Sequence, residues 1–153
     1  MKRFHVHLAV ENLAASTLFY NNLFGQQPNV EKPDYVKWLL DDPMVNFAIS
    51  NRGEENGLNH FGFQAADETE LGELKQRAEA AAGEAILDEG QTTCCYANSE
   101  KHWVTDPAGI AWEHYHTMSA AQTYNAEPTQ TPTAAQASGC CVPEAATAPK
   151  GCC

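Results

Sequence analysis

Apolar and polar positions alternate along Phe4–Glu11, which predicts an opening β-strand with His5 and His7 on the same face. Asn12 carries the short side-chain oxygen of a helix N-cap, Leu13–Phe24 follows at helical spacing, and Gly25 supplies a stop. Tyr35–Leu40 and Asn46–Ser50 read as strands around a turn at Asp41-Asp42-Pro43, and the polar stretch Asn51–Gly57 ends the pattern. The order then restarts. Leu58–Ala65 predicts a strand, Glu68–Ala82 a helix stopped by Gly83, and Ala85–Asp88 a short strand. Cys94–Ala97 and Lys101–Thr105 read as strands around an Asn98-Ser99 turn, and Asp106–Gly109 turns the chain into a closing strand, Ile110–His116.

This is an internal repeat. Superposing His7 on His60 takes an offset of 53 residues, and superposing Asp42-Pro43 on Asp106-Pro107 takes 64, so the second copy is 11 residues longer between its helix and its last turn. The pair Cys94-Cys95 lies in that longer stretch. Each copy reads strand–helix–strands, which predicts an α+β domain over residues 1–119 built from two βαβββ modules, about 1–52 and 57–117. Whether the modules pack within one chain or exchange between the chains of a homodimer stays open at this level.

Composition divides the 153-residue chain. All three Trp and all six Phe precede residue 120, whereas residues 120–153 hold four of the eight prolines and four of the six cysteines. A flexible, disordered C-terminal tail is therefore expected after the domain. With 20 acidic against 9 basic residues and a net charge of −11, the chain offers no basic stripe for a nucleic-acid backbone. No apolar run approaches the roughly 18 residues needed to span a membrane. The opening Met1–His7 lacks the apolar core of a signal peptide, which predicts a cytoplasmic protein with reduced thiols.

The repeat singles out metal-ligand candidates. His7 and His60 occupy matching places on matching strands, and Glu113 follows Pro107 by six residues. Two histidines and a carboxylate form the ligand set of non-heme Fe(II) oxygenases, which leaves coordination positions open; Zn²⁺ takes the same set. The residue six past Pro43 is Ile49, so the fourth, pseudo-symmetric vertex is expected to be apolar. His5 shares the face of His7 and is the alternative ligand, though its counterpart by the same offset is Leu58. An inward Glu113 carries Tyr115 with it and sends His114 and His116 to the other face, and His102 reads as a polar strand or loop residue.

The six cysteines come as three adjacent pairs, Cys94-Cys95, Cys140-Cys141 and Cys152-Cys153. A secreted disulfide framework scatters its cysteines, and a structural zinc site takes Cys-x₂₋₄-Cys spacing; neither pattern occurs. Adjacent thiolates suit one soft centre, trivalent arsenic, cadmium or mercury, provided the backbone is irregular enough to turn both sulfurs to one side. The tail pairs, with no core to bury them, read as accessory capture of such an ion.

Residues 1–117 resemble the vicinal-oxygen-chelate superfamily of glyoxalase I, bleomycin-resistance proteins and extradiol dioxygenases. Val6-His7-Leu8-Ala9-Val10 and Asn59-His60-Phe61-Gly62 are similar to its ligand strands. Thr92-Thr93-Cys94-Cys95-Tyr96-Ala97, Lys101–Pro107 and Trp112-Glu113 resemble the arsenic/cadmium-induced group, which includes C–As lyases. That resemblance implies an Fe(II)-dependent dioxygenase that cleaves trivalent organoarsenicals such as methylarsenite, with O₂ as co-substrate. His7, His60 and Glu113 would hold iron, Cys94 and Cys95 would hold arsenic, and Tyr96 and Tyr115 would donate hydrogen bonds around them. The long second-module segment would be a mobile loop that delivers arsenic to iron. The alternatives are a thiol protein that sequesters cadmium or arsenite without turnover, and another reaction of the superfamily, isomerisation or thiol transfer.

Overall fold

A computed structural model describes residues 1–83 and 85–125. The elements run β1 (Arg3–Ala9), α1 (Leu13–Phe24), β2 (Val30–Lys32), β3 (Tyr35–Asp41), β4 (Met44–Ser50), β5 (Gly57–Ala65), α2 (Glu68–Ala82), β6 (Ile86–Cys94), β7 (Ala97–Thr105) and β8 (Ala111–Ala120). They are two βαβββ modules. One curled mixed sheet has the order β2-β3-β4-β1-β5-β8-β7-β6. Within each module the first strand pairs in parallel with the last, β1 with β4 and β5 with β8, and the antiparallel pair β1·β5 joins the modules within this one chain. No helix among the described residues is long and apolar enough to cross a membrane.

Both helices begin and end where their capping chemistry dictates. The Asn12 side chain accepts from the Ala15 amide and the Asp67 side chain from the Glu70 amide, while Gly25 closes α1 in the left-handed conformation that costs glycine least. The helices cover the outer face of the sheet. Under α1, buried Val36, Trp38 and Ile49 pack with Leu13, Tyr20, Phe24 and Phe47. Under α2, Ala65, Leu71 and Leu74 pack with Phe63. Burying each large apolar side chain of this kind contributes roughly 1.5–3 kcal/mol. The opposite, concave face carries the buried polar groups, among them His5, His7, Asn46, Ser50, His60, Lys101 and Glu113.

Three expectations change. The short strand expected at Ala85–Asp88 runs on to Cys94 as β6, which pairs with β7 from Ile86↔Val104 to Cys94↔Ala97, and the strand expected at Cys94–Ala97 is the tip of that hairpin. The reversal falls at Cys95-Tyr96, both left-handed (φ 57° and 60°), instead of Asn98-Ser99, which lie inside β7. A two-residue hairpin turn needs positive φ at both positions to match strand twist, and register overrides the turn preference of Asn and Ser. The extra residues of module two thus lengthen α2, 15 residues against 12 in α1, and a paired hairpin, and the segment expected as a delivery loop is strand. Lastly, packing continues past residue 119: Tyr124 is buried with Tyr35 and Cys94. The rest of the expected tail, with Cys140, Cys141, Cys152 and Cys153, lies outside the described residues.

Gly62 shows how closely the seam between modules is packed. It lies opposite Glu113 across β5·β8, and a β-carbon there would stand 1.8 Å from the Glu113 carbonyl oxygen. Gly62→Ala is therefore expected to destabilise the fold by about 3 kcal/mol, at the upper end for overpacking, measured by the shift in urea midpoint at unchanged slope.

Candidate metal centre and thiol pair

The inward positions of β1, β5 and β8 bring three donors together: His5, His60 and Glu113, all buried, with their ligand atoms within 4.8 Å of one another. His5 Nε2 and His60 Nε2 are 3.1 Å apart, and Glu113 Oε2 is 3.6 Å from the first and 3.4 Å from the second. Donors about 2.1 Å from a shared ion and at right angles sit about 3.0 Å apart, so this spacing and donor chemistry fit one divalent metal. The outer nitrogens are also held. His5 Nδ1 donates to the Asn46 carbonyl at 3.1 Å, and His60 Nδ1 donates to Asn59 Oδ1 at 2.7 Å, which turns both Nε2 lone pairs inward.

Glu113 is the charged member. Its other oxygen, Oε1, accepts from Lys101 Nζ at 2.6 Å. Burial alone would raise the Glu113 pKa, but Lys101, with His60 and His5, holds it well below the usual carboxylate range. Burial likewise opposes charge on Lys101, yet Glu113 keeps it above its ordinary value. Burial, then neighbouring His60, pushes His5 down to about 3, and the same two causes lower His7. Tyr115 contributes indirectly. Asn46 Nδ2 donates to its hydroxyl at 2.6 Å while the Asn46 carbonyl holds His5.

His7 stands beside the cluster. Its Nε2 shares a 2.9 Å hydrogen bond with Ser50 Oγ, and its ring centroid lies 4.9 Å from that of His60. The geometric trio therefore contains His5 where the offset of 53 favoured His7. The caps explain why. His5 precedes Asn12 by the same seven residues that separate His60 from Asp67, so the structural offset of β1 and β5 is 55. A two-residue slip keeps side chains on one face, so both histidines look inward. The vertex opposite Glu113 changes by one residue and therefore changes face. Gly62 pairs with Glu113, its counterpart His7 pairs with Ala48, and Ala48 is inward and fully buried. Ile49 points into the core under α1. The vertex remains apolar, as expected, but Ala48 occupies it.

The hairpin tip presents the thiols. Cys94 ends β6, Cys95 begins the left-handed turn, and their sulfurs are 3.0 Å apart. Cys95 donates to the Tyr124 hydroxyl at 3.4 Å, and burial pushes its thiol up while Lys101 and Lys37 pull the other way. Cys94 is disulfide-bonded in this structure. Both cysteines line the same narrow cleft as His5, His7, Lys101 and Glu113; it encloses about 20 Å³, room for little more than a water. Tyr96 turns away, donating to Asp34 Oδ1 at 2.6 Å.

On the outer face, His114 and His116 follow strand parity, and His102 joins them: His102 Nε2 and His114 Nδ1 are 3.0 Å apart. Sequence reasoning missed Asn46, Ser50, Lys101 and Tyr124. The first two carry a signal, since they share the inward parity of Ala48.

Residues 2–114 match the sequence profile of the Glyoxalase/Bleomycin resistance protein/Dioxygenase superfamily. The chain is 39% identical over 155 residues to the trivalent organoarsenical cleaving enzyme of Bacillus sp. (strain MD1), covering 100% of this chain and 91% of that protein. It is 34% identical over 144 residues to the cadmium-induced protein CadI of Mycobacterium bovis, covering 92% and 93%. Among solved structures, the Mn(II)-bound glyoxalase of Novosphingobium aromaticivorans superposes with a TM-score of 0.56 at 16% identity, covering 84% of this chain and 44% of that one.

The buried imidazoles make the metal-free protein acid-sensitive. His5 titrates near 6.5 when unfolded and at about 3 when folded, so the unfolded chain binds the proton first as pH falls. Stability is then complete above about pH 6.5 and declines toward pH 3, with the depressed Glu113 adding to the loss below its unfolded range. In urea titrations between pH 6 and 4, His5→Gln should flatten the slope by up to one proton, about 1.4 kcal/mol per pH unit.

Proposed function

The chain belongs to the glyoxalase/bleomycin resistance protein/dioxygenase superfamily, and on that premise we propose that it is an Fe(II)-dependent dioxygenase that cleaves the C–As bond of trivalent organoarsenicals, methylarsenite among them, to release arsenite. One juxtaposition carries this reading: two sulfurs 3.0 Å apart line the same cleft as His5 and Glu113 of a two-histidine, one-carboxylate donor set. The relatives named as organoarsenical cleaving enzymes support it at 34–39% identity.

In the reduced protein, the thiols of Cys94 and Cys95 displace the two hydroxyls of the arsenical as water and fix arsenic by two As–S bonds. His5, His60 and Glu113 are the residues that would hold iron, with His7 beside them. Bound Fe(II) supplies the oxygen activation that side chains cannot perform. The remaining work belongs to the chain. Lys101 neutralises one Glu113 oxygen and leaves the other for the metal. Asn46 and Asn59 fix the two imidazoles, and Tyr115 secures Asn46. Dithiol anchorage by Cys94 and Cys95 would hold the C–As bond beside His5 and Glu113, which supplies proximity. A cleft of about 20 Å³ must widen to admit the ligand and otherwise has room for little more than one water. Ala48, at the remaining vertex, offers no donor atom, so three protein ligands would hold a metal, which disfavours a four-ligand isomerase site.

The test uses anaerobic, reduced, Fe(II)-loaded protein given methylarsenite and then oxygen, with arsenite release and O₂ uptake followed together. Coupled release supports cleavage; methylarsenite that stays bound and intact overturns it and leaves sequestration. Cys95→Ser should abolish arsenical binding while iron binding persists. His5→Ala should lower Fe(II) affinity 10–100-fold or more, whereas His7→Ala should leave it within about threefold; equal losses would return His7 to the ligand set.

A further inference from the structure

Three histidines on the outer face of module two are not used by this chemistry. We propose that this face carries a second divalent-metal site, with His102 and His114 as its nitrogen ligands. The two residues are cross-strand partners on β7 and β8, and their rings meet at right angles, 79° between planes, with centroids 4.9 Å apart. His102 Nε2 and His114 Nδ1 are 3.0 Å apart. Ligation at about 2.1 Å by two imidazoles requires a bite of about 3.0 Å at right angles and about 3.4 Å in the tetrahedron that zinc takes, so the strand ladder holds the two nitrogens within about 0.4 Å of either. Pre-set spacing matters because neither side chain then has to be ordered on binding.

The neighbourhood suits a cation. Asp88 is the register partner of His102 on β6, so Asp88, His102 and His114 form one row across three adjacent strands. A cleft of about 140 Å³ opens beside this row beneath α2, lined by Glu68, Asp88, Glu100 and His102 and also by Lys75 and Lys101. A cation already sits there: Lys75 Nζ contacts Asp88 Oδ2 at 2.5 Å, with both side chains 40–50% exposed and free to exchange. His114 lines a separate cavity of about 400 Å³ on the other side, so the two buried imidazoles lie between two cavities. His102 Nδ1 has no hydrogen-bond partner among the described residues. When an ion binds, the donating ring of the pair moves its proton to its other nitrogen, and both facing lone pairs turn to the metal. Imidazole donors with a carboxylate or water completing the shell select Zn²⁺, Ni²⁺ or Cu²⁺ over Mg²⁺ or Ca²⁺.

Zinc is the probe. Long-range ¹H–¹⁵N spectra of the imidazoles in the full chain are followed as Zn²⁺ is added. His102 and His114 are expected to shift together, in addition to the responses of His5 and His60. In a parallel titration of protein with alkylated thiols, the wild type should bind one more zinc than His102→Gln/His114→Gln, and Asp88→Asn should weaken that zinc by about tenfold. The glutamines retain a hydrogen bond across the pair, and matching circular dichroism confirms that they fold. Unmoved His102 and His114 resonances under excess zinc, or equal stoichiometry in the double variant, would overturn the site. Neither result bears on iron-dependent turnover, which the double variant should retain.

Discussion

A carboxylate buried inside a sheet must be neutralised, and the arrangement of this fold follows from how Glu113 meets that demand. Removing an ion from water costs several kcal/mol unless paired and hydrogen-bonded partners offset it. Lys101 takes one oxygen from β7, and the other faces imidazoles from β1 and β5. Four strands from two modules are thereby committed to one point. The seam between modules is consequently polar inside and apolar outside, where Phe4, Phe61, Phe63 and Trp112 stack across the same strands. Because Lys101 and Glu113 already cancel, the two imidazoles would meet a dication with their lone pairs uncommitted to protons.

The thiols obey a different constraint. On a regular strand, neighbouring side chains point to opposite faces, and Cys94 and Cys95 would be separated by the sheet itself. The left-handed turn that begins at Cys95 removes the alternation at one peptide and brings the sulfurs into contact. Tyr35, Tyr96 and Tyr124 pack around that turn and hold it, with Arg52 over the Tyr124 ring. The hairpin is thus a rigid arm with an irregular tip.

Much of this was legible in the chain itself. Both helices were found to the residue because their caps are local chemistry, and the repeat came from spacing alone. Inward parity of His5, His7, Glu113 and Tyr115 was also readable. What failed was register. The offset of 53 rests on equating histidines, whereas the caps Asn12 and Asp67 give 55, and the single-residue difference between Ile49 and Ala48 exchanges core for cleft. The turn at Cys95-Tyr96 was masked by Asn98-Ser99, better turn formers whose place in β7 is fixed by pairing far along the ladder. Lys101 gave no signal, since its value depends wholly on a residue twelve positions away.

Ala48 has one further consequence. The duplication gives module one a strand position equivalent to that of Glu113, and a single methyl group fills it. A single substitution at Ala48 therefore separates a three-donor from a four-donor set within an unchanged scaffold. A gene of this design can cross between chemistries that leave a metal face open and chemistries that close it.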